Sequence, residues 1–360
     1  MNRKHLLTLV IVLLVLGALV YLQVREWRKF DWVTFKENTA DINLLQILAG
    51  VALIHAADFF RAIRWKVFLR PTRPDVSWKT LVAPQYVGFA GLALLGRPGE
   101  LIRPYLIALR ANTTVAPQIA LWFVERAFDT GAVALILAID LFIVPQMRRE
   151  YSDLWVFGYV MIGLFVALVL FLFLLWRHGP TVSFWVCSKL KPHFPHFADN
   201  LEHKLRSASS GLHAIHDKKS FLEATGVSFL IWMLVAFAYR QVLHAFSPAT
   251  GLPDFGLPQA ILLMGASVAG GVMQLPFIGG GAQLATIAML SSSFNYSDRP
   301  EVAVAAGMMF WLVTFMSVAP LGLILARFEH VSLRKLTAAS EEAERAGEQM
   351  PENDRSTESA

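Results

Sequence analysis

The chain has 360 residues, of which 55% are hydrophobic and only 16% charged, with a mean hydropathy of +0.49 and a net charge of +5. Soluble domains carry about 25% charged residues, so a soluble enzyme, a disordered chain and a fibrous repeat are excluded as the main architecture. Cys187 is the single cysteine, which excludes a disulfide scaffold. The basic excess fits cytoplasmic loops and attraction to anionic lipid better than nucleic-acid binding.

Six apolar stretches are long enough to cross a hydrocarbon core: 6–24, 42–60, 115–144, 156–176, 221–246 and 302–327. The first follows Arg3, Lys4 and His5, but no A-x-A site follows it, so it reads as a span rather than a cleaved signal. Two further stretches are interrupted. Residues 81–110 break at Gly96-Arg97-Pro98-Gly99-Glu100, and residues 256–293 break at Pro276-Phe277-Ile278-Gly279-Gly280-Gly281. Each reads as two half-helices joined by a Gly/Pro turn, which a membrane tolerates only where protein buries the turn or it lines a wet cavity. A kinked ordinary span is the alternative.

Loop charge orients these segments. Arg61, Arg64, Lys66, Arg70, Arg73 and Lys79 face Asp75 alone, and residues 177–219 are also strongly basic, so both loops are expected inside. Residues 247–259 lack Lys and Arg and are expected outside. Parity then makes 81–110 a hairpin returning to the inside and 256–293 one returning to the outside. The expected fold is all-α: a polytopic membrane protein with about six spans and two re-entrant hairpins, in the pattern of an inverted repeat with its site near the midplane. Both termini are then cytoplasmic. Within the basic loop 177–220, residues 199–216 have the spacing of an amphipathic surface helix, a solvated linker helix being the alternative. The acidic tail 336–360 reads as disordered.

Ionisable residues at membrane depth carry most of the functional information. Glu125 and Asp129 share a helix face with Arg126 beside them, as a ligand-balancing cluster or as a structural salt bridge. Arg97, Glu100 and Arg103 flank the first break. A helix restarting at Glu100 would present free N–H groups and two arginines to an anion such as a phosphate, or Glu100 would pair with Arg126. Arg61 and Arg64, with Trp65, suit interfacial anchoring or an electropositive approach to that hairpin. His55 and Asp58 read as a solvated helix end. In the second hairpin, Gly279, Gly280 and Gly281 permit close approach of a ligand or helix, with Gln274 the polar side chain beside them. Gly265, Ala266, Gly270 and Gly271 read as tight helix packing. His193, His196, His203, His213 and His216 lack completing ligands at metal-site spacing, so no metal or cofactor is expected. No hydrolase, metalloprotease, P-loop or dinucleotide fingerprint occurs, and no enzyme activity is expected.

R-x-x-R-W (Arg61, Arg64, Trp65), R-x-G-E-x-x-R (Arg97, Gly99, Glu100, Arg103), E-R-x-x-D (Glu125, Arg126, Asp129) and P-x-x-G-G-G (Pro276, Gly279, Gly280, Gly281) follow in that order. In this order they resemble the transmembrane region of lysylphosphatidylglycerol synthases, the flippase-like family that includes the membrane half of the multiple peptide resistance factor. The likeness spans roughly residues 5–335. It implies handling or translocation of a membrane lipid in a bacterial inner membrane, with the site at the two hairpins. In bifunctional members an aminoacyl-transferase domain follows; only about 30 residues follow here, so lipid aminoacylation is not expected. The sequence departs from the family at Ala282-Gln283-Leu284-Ala285-Thr286, where an acid is usual, and at Ala93-Leu94-Leu95-Gly96, where Asn and Pro are often seen. A small anionic solute transporter and an accessory subunit of a lipid- or glycan-modifying enzyme remain the alternatives. The oligomeric state is left open.

Overall fold

The computed structural model describes residues 32–95, 97–151, short stretches between 154 and 170, residue 188, 218–271 and 280–328. The expected first span, the amphipathic segment 199–216 and the acidic tail lie outside the described residues, as does much of 156–176. Every described element is helical: α1 (Trp32–Ala40), α2 (Leu44–Leu69), α3 (Trp78–Leu95), a 3-10 turn (Arg97–Leu101), α4 (Ile102–Arg110), α5 (Val115–Ile143), α6 (Pro145–Glu150), α7 (Lys218–Ala245), α8 (Leu257–Gly270), α9 (Gly280–Ser293), α10 (Pro300–Trp311) and α11 (Val318–Phe328). Between α10 and α11 the helix widens into a π turn, Leu312–Met316. Three helices among the described residues are long and apolar enough to cross a membrane: Leu44–Leu69, Lys218–Ala245 and Pro300–Phe328. At 29 residues α5 is equally long, but it carries Glu125, Arg126, Asp129 and Asp140.

The protein is an all-α polytopic membrane protein. Its surface and interior invert the pattern of a soluble domain: Leu44, Leu45, Leu48, Ile143, Phe237, Leu323 and Ile324 are exposed, while Arg64, Arg103, Glu125 and Asp129 are buried. Lipid is the only solvent that accepts such an apolar exterior without penalty.

Sequence chemistry fixes where α2 begins. The Asn43 side chain accepts from the Leu45 and Gln46 N–H groups at 3.0 and 3.4 Å, and its own N–H donates to the Ala245 carbonyl at 2.8 Å. Asn43→Ala is expected to cost about 1 kcal/mol through the lost cap, and Asn43→Asp much less; thermal unfolding in detergent micelles measures both. At the far end Arg70 pairs with Glu223 at 2.7 Å. Since Asn43 meets the end of α7 and Arg70 its beginning, α2 and α7 run antiparallel and cross where Gly50 approaches the Ala238 carbonyl.

Both broken segments close on themselves. A Cβ on Gly99 would run into the Gly91 carbonyl, and one on Gly88 into the Arg103 Cβ, so α3 and α4 lie in backbone contact. A Cβ on Gly270 would run into the Gly281 carbonyl and the Ala285 methyl, which brings α8 equally close to α9. The small-residue series 265–271 thus packs tightly, with Gly265 against Leu137 of α5. Each hairpin is tied at its base by an arginine. Arg73, paired with Asp75 at 2.8 Å, donates to the Ala111 and Asn112 carbonyls beyond α4. Arg299 donates to the Ala249 and Thr250 carbonyls ahead of α8 at 2.9 and 3.2 Å.

The two halves share one packing scheme. α2 packs on α3 as α7 packs on α8; α4 packs on α5 as α9 packs on α10. The first hairpin also packs, through α3, on α11, and the second, through α8, on α5. Exchanging the halves therefore reproduces these pairings, and with the antiparallel crossing of α2 and α7 they follow the pattern of an inverted repeat. The chemistry is not repeated. α3 to α5 bring Glu100, Arg103, Glu125 and Asp129 into the interior, whereas α8 and α9 contain no ionisable residue.

Candidate functional site

The charged residues converge where α2, the first hairpin, α5 and α7 meet. Arg64, fully buried on α2, donates through Nη1 to Asp129 Oδ1 and Ser228 Oγ, both at 2.7 Å, and through Nη2 to Glu125 Oε1 at 2.8 Å. Arg103, second residue of α4, donates to the same carboxylate from the other side, through Nη2 to Oε2 at 2.6 Å and Nη1 to Oε1 at 3.2 Å. Its Nη1 also donates to Gln85 Oε1 at 3.2 Å. Glu125 is thus held between two guanidiniums. Asp129 accepts additionally from the Trp232 indole N–H at 3.1 Å and lies 3.2 Å from Arg126 Nη2. One turn along α2, Arg61 pairs with Asp58 at 2.8 Å, with Phe89 and Trp232 rings 5.1 and 5.8 Å from its guanidinium.

Burial this deep makes each pairing obligatory. An isolated charge at low dielectric costs several kcal/mol, and attraction offsets that cost only with good geometry and further hydrogen bonds. Trp65 and Phe89 supply apolar walls, their rings 5.9 and 5.4 Å from the Arg103 guanidinium. Beside them a recess of only about 10 Å³ is lined by Gly88, Phe89, Leu92, Glu100, Arg103 and Arg126. That is room for about one water. Arg126 is the most accessible cation of the group, its side chain 34% exposed.

Residues 6–322 match the family model of the lysylphosphatidylglycerol synthase TM region. The chain belongs to that family. Neither the comparison with curated proteins nor that with solved structures gives a match. Membership identifies a membrane protein of a family related to lipid modification or lipid flipping, and it covers α1 to α10 whole.

Within this family member, Arg61, Arg64, Arg103, Glu125, Arg126 and Asp129 lie together as a spatial group, although they come from three helices. Glu100 joins them at the recess. Gly280 and Gly281 are buried at the start of α9, where Gly281 abuts Gly270 in the second hairpin. Gln274, Pro276 and Gly279 lie outside the described residues, as does the side chain of Arg97.

Three expectations need correction. The second span does not end at residue 60 with Arg61 and Arg64 as interfacial anchors; α2 continues to Leu69, and Arg64 has no exposed surface. His55 and Asp58 are not a solvated helix end, since Asp58 is 2% exposed and His55 Nδ1 lies 3.1 Å from the Tyr86 hydroxyl. The second half of the first hairpin does not restart as an α-helix at Glu100. A 3-10 turn spans Arg97–Leu101, and α4 begins at Ile102. Glu125 pairs beyond its own helix: Arg64 and, from the first hairpin, Arg103 hold it, while Arg126 flanks it at 3.9 Å. For Arg64, Glu125 and His55 a distant helix supplies partners that local spacing does not show.

Sequence reasoning missed Ser228, Trp232, Gln85 and the role of Asp58. Asp58 had a signal, an acid three residues before Arg61 on one helix face. Ser228 and Trp232 had none, because a serine or tryptophan in an apolar span is ordinary.

Proposed function

We propose that the protein binds a lipid with an anionic or phosphate-bearing headgroup and moves it across the bacterial inner membrane, both termini being cytoplasmic. The observation that carries this reading is the recess where Glu100, Arg103 and Arg126 meet Gly88, Phe89 and Leu92 at the hairpin tip. Arginine forks match phosphate oxygens, and an apolar wall beside them suits a molecule whose tails stay in the bilayer. The recess holds about one water, so a headgroup is admitted only when the first hairpin shifts against α5. Opposed hairpins in an inverted repeat provide a way to expose the site alternately to each side. The reading is one of transport, without covalent chemistry on the lipid.

Mass spectrometry of lipids retained by gently purified protein, wild type beside Arg103→Ala, tests this. A headgroup class enriched over the bulk membrane and lost in Arg103→Ala is expected; bulk composition in both samples overturns the reading. One observation favours an accessory, scaffolding role instead: Glu125 and Arg64 satisfy each other internally. That reading gains if charge-neutralising variants lose accumulation and retain wild-type lipid composition.

A further inference from the structure

We propose that Asp58 is a proton-binding site linked to the anion site, so that seating an anionic headgroup draws a proton from water onto its carboxylate. The inference rests on the lipid-binding reading above and adds its energy coupling.

Charge balance in the interior motivates it. Among the described side chains of this group, Arg61, Arg64, Arg103 and Arg126 are matched in number by Asp58, Glu100, Glu125 and Asp129, a neutral sum before any ligand arrives. An added phosphate would leave an uncompensated negative charge at low dielectric. Either the anion is excluded or one acid takes a proton. Glu125 has both oxygens on arginines, and Asp129 is held by Arg64, Trp232 and Arg126. Asp58 has a single arginine at hydrogen-bond distance: Arg61 bonds Oδ1, while buried Oδ2 has no hydrogen-bond partner among the described residues.

Arg61 is also placed to change partners. Phe89 lines the recess and stands 5.1 Å from the Arg61 guanidinium and 5.4 Å from that of Arg103, joining the recess to both. A phosphate taking Arg61 away from Asp58 leaves a buried carboxylate without its ion-pair partner. It then binds a proton and becomes a neutral acid, and loss of the anion reverses both steps. The charged and titratable groups around Asp58 are His55 and Arg61 on α2, Tyr86 on α3 and Arg103 on α4, with Glu125, Arg126 and Asp129 of α5 behind Arg64 and Arg103. From α7 comes Trp232, and the π turn, Leu-Val-Thr-Phe-Met, carries no ionisable residue. His55, one turn from Asp58 and 3.1 Å from the Tyr86 hydroxyl, is the group that can pass the proton along α2.

The test titrates the full chain in nanodiscs with dioctanoyl phosphatidylglycerol in weakly buffered solution, following proton uptake with a dye and carboxyl groups by infrared difference spectroscopy. Wild type should take up about one proton per ligand bound and gain a protonated-carboxyl band. By linkage the affinity should rise up to about tenfold per unit fall in pH. Asp58→Asn should bind without uptake, and Asp58→Glu, which keeps the charge of the group, should keep uptake with the band shifted in frequency. Binding by wild type without uptake or band overturns the proton site and leaves the lipid reading standing. No binding by wild type overturns both. An unshifted band in Asp58→Glu places the proton on another acid and overturns the assignment to Asp58, even if Asp58→Asn does not accumulate.

Discussion

Replacing Glu125 by glutamine should destabilise the protein by about 3–5 kcal/mol, the cost of removing one partner from a buried ion pair. Two guanidiniums depend on this carboxylate, with Arg64 at 2.8 Å and Arg103 at 2.6 Å. Arg64 would keep Asp129 and Ser228, so it remains partly satisfied. Arg103 would keep only the Gln85 amide oxygen among its described hydrogen bonds, and most of the loss should arise there. Adding Arg103→Met to Glu125→Gln should therefore recover part of the stability, because the stranded cation is gone. Arg126→Gln, at a side chain one-third exposed, should cost less than about 1 kcal/mol. Unfolding midpoints in micelles, with the four proteins run side by side, check this. Equal losses for Glu125→Gln and Arg126→Gln, without rescue by Arg103→Met, would show that the triad does not hold the helices together.

Gly99→Ala is expected to be the most disruptive single-methyl addition in the first hairpin. The new carbon would meet backbone of the facing helix, the Gly91 carbonyl and the Leu92 N–H, rather than a side chain free to turn away. Overpacking typically costs 1–3 kcal/mol, and a backbone obstacle puts this substitution at about the top of that range. Because Gly88 abuts the Cβ of Arg103, spreading the hairpin also pulls Arg103 off Glu125. Gly99→Ala should thus lose retained lipid along with stability. Gly270→Ala meets the Gly281 backbone in the second hairpin and should cost a similar amount. Since α8 and α9 carry no ionisable residue, it should leave the arginine cluster paired. A control at Gly226, where an added Cβ meets nothing, should be silent in both assays.

Much of the architecture was legible in the chain because lipid imposes a simple rule. Residues 115–144 and 221–246 were read within three residues of α5 and α7, since an unbroken apolar run in a bilayer has no alternative to a helix. The two Gly/Pro breaks were legible for the complementary reason, and the structure folds each segment back on itself at or beside the break. The end of α2 was not legible. Arg61, Arg64 and Lys66 look like an interface to any hydropathy reading, yet helix and burial continue to Leu69 because α5 and α7 supply Asp129, Glu125 and Ser228.

The same division holds for the site. The sequence by itself determined which residues carry charge into the membrane, with Arg97, Glu100 and Arg103 flanking one break and Glu125, Arg126 and Asp129 sharing the next span. It also determined the family through four ordered motifs. Only the tertiary structure decided who partners whom: Arg64 as well as Arg126 between Glu125 and Asp129, and Asp58 on Arg61 with one oxygen lacking a hydrogen bond among the described residues. It also decided that a symmetric pair of hairpins is chemically one-sided. Spacing along one helix sees neighbours three and four residues away, whereas Arg64 and Glu125 are 61 residues apart. Their meeting depends on the packing of α2, α4 and α5, driven by the penalty for leaving any of these charges unmatched in a low-dielectric interior.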